Sequence, residues 1–395
     1  MSDLPDDACS VCGSDGLESF FEVSGIPVLV CVLWPDDAGA RACPKGDIRL
    51  TFCPTCGLIE NRAYDPGIVE YSENYENSLH FSEFFQGYIK GFAEDISARH
   101  DLAGKRVIEV GSGDGEFVTL LCELGAEEGI GFDPSYPPDR PDTILDGRVR
   151  FVRDYYTAEH AAVQGDLIVC RQVLEHIPAP RAFMEGIRAS LGDRVDTAIV
   201  FEVPNMMFTL SQRSLWDVIY EHVTYFSRGT LARLFSSTGF DVIDTSETYE
   251  RQFIAVDAQP THEEVGTIRT AVDDLDELAT EVRAFSEAYR ARITDWHRRL
   301  ATAEADGRRV ALWGTGARGV NFLNLADPDG VITHVVDINP RKHGMHVAGT
   351  GQRIGAPEEL VAVQPDEVIV MNPVYLDEIT TSLHEMGLHP AVVPA

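Results

Sequence analysis

The chain has 395 residues, of which 44% are hydrophobic, and its 64 acidic and 32 basic side chains give a formal net charge of -32. This length exceeds what one hydrophobic core usually organises, so we expect two or three globular domains. The acidity argues against nucleic acid as a partner, and the lack of a charged leader or of an apolar stretch near ~20 residues predicts a cytoplasmic protein with no membrane partner.

The first 70 residues contain two closely spaced cysteine pairs, Cys9-x2-Cys12 and Cys53-x2-Cys56, around two strand-like runs. A spacing of two residues lets both thiolates of a pair reach one tetrahedral Zn²⁺, and two pairs supply four sulfur ligands. We therefore predict a small zinc ribbon whose metal is structural, because no coordination position stays open. The other four cysteines lack paired spacing and are interpreted as buried apolar residues.

A glycine-rich turn marks the start of the next predicted domain. Residues 71–100 are aromatic and helical in character, and short apolar runs alternate with amphipathic stretches between Lys105 and about Pro260, a pattern typical of a parallel α/β sheet. The segment VIEVGSGDGEF predicts a strand, a turn at Gly111, Gly113 and Gly115, and a helix. Glycines there allow the backbone to approach a ligand closely at the helix amino terminus, although such a turn also serves dinucleotides.

Three acidic residues accompany this turn. Glu109 precedes it, Asp133 ends a second predicted strand at a position suited to ribose hydroxyls, and Asp154 follows a third. This succession resembles the class I S-adenosylmethionine-dependent methyltransferases. The resemblance implies that S-adenosylmethionine binds at the glycine turn, with Glu109 nearby and Asp154 facing the adenine edge. NAD binding remains the alternative for this domain.

The segment CRQVLEHIPAPRAFMEGI is similar to the loop and helix that follow the fourth strand in those methyltransferases. The resemblance places Gln172 and His176 nearest the methionine end of the cofactor or the substrate. A structural cap is the alternative interpretation of His176.

A third segment, LWDVIYEHVTYFS, extends the resemblance. The order of a cysteine-paired module, a tyrosine-rich linker, a methyltransferase domain, a Tyr/Glu/His segment and a carboxyl-terminal α/β domain resembles the three-domain sugar C-methyltransferases that act on nucleotide-linked 4-keto deoxysugars. Glu221 and His222 match the acid/base residues at the end of the family's Tyr-His-Glu-His motif. Tyr220-Glu221-His222 is one residue shorter than that motif, so methylation of oxygen or nitrogen of another small metabolite stays open.

The chemistry of carbon methylation suits these residue types. A proton beside a ketone must be removed and the enolate oxygen stabilised, and a histidine with an unperturbed pKa near ~6.5 is a suitable base. His222 is the predicted base, Glu221 its partner, and Tyr71, Tyr75 or Tyr220 the donor to the enolate oxygen. A capping or core role is the alternative for His222 and Glu221.

Residues 261–306 are charged and carry apolar positions at helical spacing, so one or two connecting helices are predicted. From residue 307 a second α/β pattern begins, with Gly314, Gly316 and Gly319 after a strand and Asp337 further on. Alone this pattern favours a dinucleotide site. The resemblance instead implies a Rossmann-like domain that borders the substrate cleft, where Arg318, Arg341 and Lys342 meet a diphosphate.

The sequence as a whole predicts a three-domain α/β enzyme: a zinc module (residues 1–70), a methyltransferase domain with a leading helix (71–260), connecting helices (261–306) and a Rossmann-like domain (307–395). An NAD-binding regulatory or redox protein is the alternative from another class. The chain has 32 basic residues, of which only four are lysines. We interpret this acidic, lysine-poor composition as adaptation to a salt-rich cytoplasm, typical of a halophilic archaeon. An ordinary acidic mesophilic protein is the alternative.

Overall fold

The computed structural model describes residues 8–69, 75–262, 272–327 and 330–395. The amino-terminal part is a small antiparallel sheet whose strands pair in the order β1-β2-β3, and a two-residue strand from the middle of the chain, Thr224–Tyr225, extends it beside β3. Its elements are β1 (Glu18–Pro27), α1 (Asp37–Arg41), β2 (Lys45–Phe52) and β3 (Ile59–Asn61).

An eight-stranded mixed sheet forms the centre of the molecule, in the order β11-β12-β9-β8-β4-β5-β7-β6. The five strands from β9 to β7 run parallel, and the outer strands are antiparallel to their neighbours. Its strands are β4 (Arg106–Val110), β5 (Glu128–Phe132), β6 (Thr143–Ile144), β7 (Val149–Val152), β8 (Leu167–Arg171), β9 (Ala198–Pro204), β11 (Phe240–Thr248) and β12 (Phe253–Pro260), and β10 is Thr224–Tyr225.

Five helices accompany this sheet: α2 (Glu83–His100), α3 (Glu116–Glu123), α4 (Pro180–Leu191), α5 (Met206–Ser211) and α6 (Arg228–Ser237). The leading helix α2 begins where the side chain of Ser82 accepts a hydrogen bond from the Phe85 amide, and it ends at Asp101, which has a left-handed conformation. Strand order reverses at β4, since β5 lies on one side of it and β8 on the other. In open α/β sheets, ligands bind at the carboxyl ends of strands at such a switch point.

One long helix, α7 (Leu275–Ala305), connects the central sheet to the carboxyl-terminal domain. That domain has a five-stranded parallel sheet in the order β15-β14-β13-β16-β17. Its elements are β13 (Val310–Trp313), α8 (Ala317–Ala326), β14 (His334–Val336), β15 (Ile354–Gly355), α9 (Leu360–Val363), β16 (Glu367–Val370), α10 (Leu376–Glu385) and β17 (Ala391–Pro394).

The amino- and carboxyl-terminal parts share one hydrophobic core, although they are far apart in sequence. Buried positions of α7 at helical spacing, such as Phe285 and Tyr289, contact Phe21 of β1, and the same cluster includes Trp216 and Phe322. The two ends of the chain therefore form a single packed body beside the central sheet. No helix among the described residues is long and apolar enough to cross a membrane.

The sequence prediction of the architecture is confirmed: a central, mostly parallel α/β sheet, a second parallel α/β sheet and a cysteine-rich amino-terminal module. The sequence did not predict that β10 pairs with β3. This pairing brings the segment that precedes β10, which contains His222, against the amino-terminal module.

Candidate active site

Four cysteine thiols converge at one end of the amino-terminal sheet. The Sγ atoms of Cys9 and Cys56 lie 3.5 Å apart, as do those of Cys12 and Cys53, and all four lie within 4.8 Å of one another. Zinc–sulfur bonds of about 2.3 Å in a tetrahedral site require such a separation. Gly13 and Gly57, both with positive φ, follow the pairs and let the backbone turn around the cluster. The donor set and its geometry fit a structural Zn²⁺.

The glycine turn lies between β4 and α3, at the switch point of the central sheet. Gly111 and Gly115 have φ angles of 75° and 80°, and a Cβ at either position would overlap the side chain of Val173 or Phe151. Only glycine fits this turn without strain. Behind it, the buried carboxyl group of Glu109 accepts a hydrogen bond from the Val118 amide of α3, and burial raises its pKa to about 8.

The predicted cofactor residues follow neighbouring strands. Asp133, after β5, accepts hydrogen bonds from the amide of Gly113 at 2.7 Å and from Ser135. Asp133 therefore fixes the turn. Asp154 lies beyond β7 with a side chain that is 59% exposed and 3.5 Å from His160. Gln172 follows β8 with a positive φ of 54°.

A cavity of about 300 Å³ opens beyond the carboxyl end of β8. Gln172, His222 and Tyr225 line it from the central part of the chain, and Gly316 and Asn372 from the carboxyl-terminal domain. Leu79 and Phe81, before α2, also contribute to its wall. The cavity is therefore shared by the central sheet, the leading segment and the carboxyl-terminal domain, with the dimensions of a site for a small molecule.

His222 lies at the cavity wall beside His176, which is absent from the described wall. The rings of His176 and His222 are 4.9 Å apart and nearly perpendicular, and the Nδ1 of His176 is 3.0 Å from the carbonyl oxygen of Glu221. Burial lowers the pKa of His176 to about 4. Burial, with a smaller contribution from His176, holds the pKa of His222 well below its usual 6.5. His222 is therefore neutral at pH 7 and has a lone pair with which to accept a proton.

The Glu221 carboxylate lies on the other side of this turn, between the central sheet and the amino-terminal module. It accepts hydrogen bonds from the Tyr75 hydroxyl at 2.7 Å and from the Val30 amide at 3.3 Å. Its side chain is 1% exposed. Glu221 thus holds Tyr75 through its carboxylate and His176 through its carbonyl oxygen.

The structure separates Tyr220 from the residues with which the sequence grouped it. Its fully buried ring packs over Gly46, where a Cβ would lie 2.2 Å from the ring, and its hydroxyl accepts a hydrogen bond from the Asp65 amide at 2.8 Å. Tyr220 does not line the cavity among the described residues, so its placement argues against the predicted role as a donor to substrate. Tyr71 lies outside the described residues.

The carboxyl-terminal glycine turn faces the cavity at the amino terminus of α8. A Cβ on Gly319 would lie 2.0 Å from the carbonyl oxygen of Gly314, so helix and strand pack too closely for any other residue. Asp337, the predicted ribose acid, is buried and accepts hydrogen bonds from Thr315 and Lys342, and its pKa is lowered despite burial because of these contacts. The ion pair with Lys342 distinguishes Asp337 from Asp133, whose partners are amides and a hydroxyl, and makes Asp337 a poorer acceptor for the hydroxyls of a dinucleotide ribose.

The three basic residues that were predicted to bind a diphosphate have different surroundings. Arg318 lines the cavity and forms an ion pair with Asp217, and Lys342 lines it while bonded to Asp337 at 3.0 Å. Arg341 pairs with Glu76 at 3.0 Å and is absent from the described cavity wall. The placement of Arg341 therefore argues against its predicted role.

Several polar residues of the cavity and its surroundings were not predicted from the sequence. Gln252 and Asn372 form hydrogen bonds with each other across the cavity. Beside them, the hydroxyl groups of Tyr249 and Tyr375 are hydrogen-bonded to each other. Glu175, next to His176, is buried with a pKa that burial raises to about 8. No sequence spacing around Glu175 indicated that its carboxyl group would be buried.

Two family models match the chain. Residues 81–245 match a methyltransferase domain, and residues 252–389 match a C-methyltransferase C-terminal domain. Together these matches include the glycine turn of β4, the His176 and His222 turns and the carboxyl-terminal glycine turn.

The chain is similar to several proteins described as methyltransferases. A protein described as the C-methyltransferase NovU of Streptomyces niveus is 26% identical over 411 residues, covering 96% of this chain and 93% of that protein. A mitochondrial ubiquinone biosynthesis O-methyltransferase of Schizosaccharomyces pombe is 24% identical over 136 residues, covering 33% of this chain and 48% of that protein. The solved magnesium protoporphyrin IX methyltransferase of Synechocystis PCC 6803 is 17% identical, with a TM-score of 0.35, and covers 45% of this chain and 84% of that one.

Proposed function

Because this chain is a class I S-adenosylmethionine-dependent methyltransferase of the C-methyltransferase family, we propose that it methylates the carbon beside the ketone of a nucleotide-linked keto-deoxysugar. The observation that carries the proposal is the position of His222. A buried, neutral imidazole lines a cavity that both α/β domains share. Such a cavity accommodates a substrate with a reacting sugar at one end and an anionic nucleotide at the other.

The amino terminus of α8 is the part of the cavity that we assign to the diphosphate. Backbone N–H groups at a helix amino terminus attract anions, and the glycine turn removes side chains that would obstruct them. Arg318 adds a cation held in place by Asp217 and Gln252. The ion pair of Asp337 with Lys342 favours a role of this turn in substrate binding over NAD binding.

The cofactor is assigned to the glycine turn of β4, at Gly111, Gly113 and Gly115, which is not part of the described cavity wall. When bound there, S-adenosylmethionine supplies an electrophilic methyl group on a positively charged sulfur. We propose that Asp133 accepts hydrogen bonds from the ribose hydroxyls, that Asp154 faces the adenine edge, and that Gln172 lies near the methionine end. Glu109 supports the turn from behind through its hydrogen bond to α3.

The proposed reaction begins when His222 removes the proton from the carbon beside the ketone. The electron pair of that C–H bond becomes the enolate, and the proton stays on the imidazole until it leaves to solvent. The enolate carbon would take the methyl group as the S–CH₃ bond of S-adenosylmethionine breaks, with the electron pair of that bond staying on sulfur. The Tyr75 hydroxyl donates its hydrogen to Glu221 and is absent from the described cavity wall, so we do not assign it as the donor to the enolate oxygen. Glu221 acts on Tyr75 and His176 through the contacts described, and His176 packs against the base.

Replacing Asp133 by Ala is expected to weaken S-adenosylmethionine binding by about 1.5–3 kcal/mol, or roughly 10- to 150-fold, because hydrogen bonds to a charged group are lost. Isothermal calorimetry measures this change. Asp154→Ala is the matched variant at the adenine edge. Unchanged affinity in Asp133→Ala contradicts the ribose role.

Product analysis tests the proposed reaction itself. We expect that the protein, incubated with S-adenosylmethionine and a nucleoside-diphosphate-linked 4-keto-deoxysugar, gives a product with a new methyl group bonded to carbon, detected by NMR. A methyl group on oxygen or nitrogen identifies the alternative chemistry and overturns the assignment to carbon.

A further inference from the structure

Glu175, His176 and His222 form a second cluster of metal-binding groups, separate from the four cysteines. One nitrogen from each imidazole and one carboxylate oxygen lie within 4.8 Å of one another. We propose that this cluster binds a divalent transition-metal ion such as Zn²⁺ or Co²⁺, and that the bound ion inhibits the enzyme by occupying His222.

The donor set is that of a known class of metal site. Two imidazoles and one carboxylate bind Zn²⁺ through three protein ligands and leave a fourth position for water. Ligand bonds of about 2.0–2.2 Å require ligand atoms closer than 4.8 Å, so the three side chains would move together on binding.

Two of the three groups have buried atoms without a hydrogen-bond partner. Glu175 is 2% exposed, and within the described ranges neither its Oε2 nor the Nδ1 of His222 has a partner. Buried polar atoms are normally paired, and each exception calls for an explanation such as an ion that is not present. A cation between them satisfies both atoms at once.

The backbone holds the cluster in place from both sides. The amide of Val223 donates to the carbonyl oxygen of Glu175 at 2.7 Å, and the Thr224 hydroxyl donates to that of Leu174 at 3.1 Å. These bonds join the turn that carries Glu175 and His176 to the turn that carries His222. The two turns therefore keep the three ligands near one another, so that side-chain movement is enough to bring them around a metal.

His176 also has the outer contact that metal-bound histidines usually have. Its Nδ1 lies 3.0 Å from the carbonyl oxygen of Glu221. Because a carbonyl oxygen only accepts, Nδ1 carries the hydrogen and Nε2 presents the lone pair. Such a bond fixes the tautomer and the ring orientation that a metal requires.

The inhibitory part of the proposal rests on the proposed function, because it assumes that His222 is the base. A metal ion bound to the imidazole uses the lone pair that would accept the substrate proton. Binding of the ion and inhibition by the ion are therefore separate measurements.

Cobalt spectroscopy on the full-length, zinc-loaded protein tests the binding. We expect Co²⁺ to bind with one additional equivalent per chain and to give visible d–d absorbance without the strong charge-transfer band of cobalt–thiolate bonds, which shows that the cysteines keep their zinc. Glu175→Gln and His222→Ala should each weaken this binding at least tenfold. His334→Ala, at an exposed histidine of β14, should bind Co²⁺ as the wild type does.

Absence of the additional equivalent, or equal affinity in Glu175→Gln, His222→Ala and wild type, overturns the site. Zn²⁺ added to the enzyme should then slow exchange of the substrate α-proton with solvent, and a chelator that leaves the cysteine-bound zinc in place should restore it. If Co²⁺ binds as expected but Zn²⁺ does not slow exchange, the site stands, whereas the inhibition and the role of His222 as base are refuted.

Discussion

His222→Ala is expected to lower the rate of methyl transfer by about 10²- to 10⁴-fold, because a positioned general base is lost. Its affinity for S-adenosylmethionine should stay at the wild-type value, since His222 lies at the cavity wall and not at the glycine turn of β4. Single-turnover kinetics measures the rate, and calorimetry measures the affinity. A fall in both indicates a structural role for His222 instead.

Deuterium exchange separates proton removal from methyl transfer. The wild-type enzyme, without cofactor, should exchange the α-proton of a 4-keto substrate with solvent, and His222→Ala should do so far more slowly. Exchange at the wild-type rate in His222→Ala refutes its role as base. Tyr220→Phe is the matched control in the same segment, and its exchange should be close to wild type because Tyr220 contacts Asp65 and Gly46, away from the cavity.

The pH dependence of this exchange follows from the surroundings of His222. Burial and His176 hold its pKa well below 6.5, so the imidazole stays neutral as the solution is acidified past that value. Exchange should therefore persist below pH 6.5 and fall only in more acidic solution, where the base becomes protonated. If the rate of exchange already falls at or above pH 6.5 as the solution is acidified, this placement of the base is contradicted.

Loss of the cysteine-bound metal is expected to unfold the amino-terminal module. We predict one zinc per chain at Cys9, Cys12, Cys53 and Cys56, and structural zinc contributes on the order of 10 kcal/mol to the folding of such small units. The variant Cys53→Ser with Cys56→Ser should lose the zinc and become sensitive to proteolysis within the first 70 residues. Activity should fall as well, because Val30 of this module holds Glu221.

Metal analysis together with limited proteolysis measures this effect. Cys122→Ala is the control, since Cys122 lies on α3, in the central domain. It should retain one zinc per chain. A zinc content near zero in the wild-type protein, or zinc retained by the double serine variant, is incompatible with the assignment.

Several residues of the site could be predicted from short sequence patterns, because these patterns depend on short-range geometry. The spacing of Cys9 and Cys12 fixes which atoms can share an ion, and glycines at Gly111 and Gly115 are required wherever a strand turns tightly into a helix. Parallel strands bring their carboxyl ends to one edge, so Asp133 and Gln172 were expected near the turn. The meaning of the acidic surface stays a prediction.

Tertiary structure decided what adjacent residues do. Tyr220, Glu221 and His222 follow one another, yet the first contacts the amino-terminal module, the second holds Tyr75 and only the third reaches the cavity. Neighbours in a tight turn point in different directions, and their surroundings depend on elements such as β3, more than 150 residues earlier in the chain.

The fold class, the four-cysteine cluster and the glycine turn after β4 could be predicted from the sequence, because each depends on the spacing of residues within short segments. The pairing of β10 with β3, the ion pair of Asp337 with Lys342 and the proximity of Glu175 to His222 could be seen only in the folded chain. These contacts join segments distant in sequence, and their energies depend on burial and on partners that no local pattern encodes.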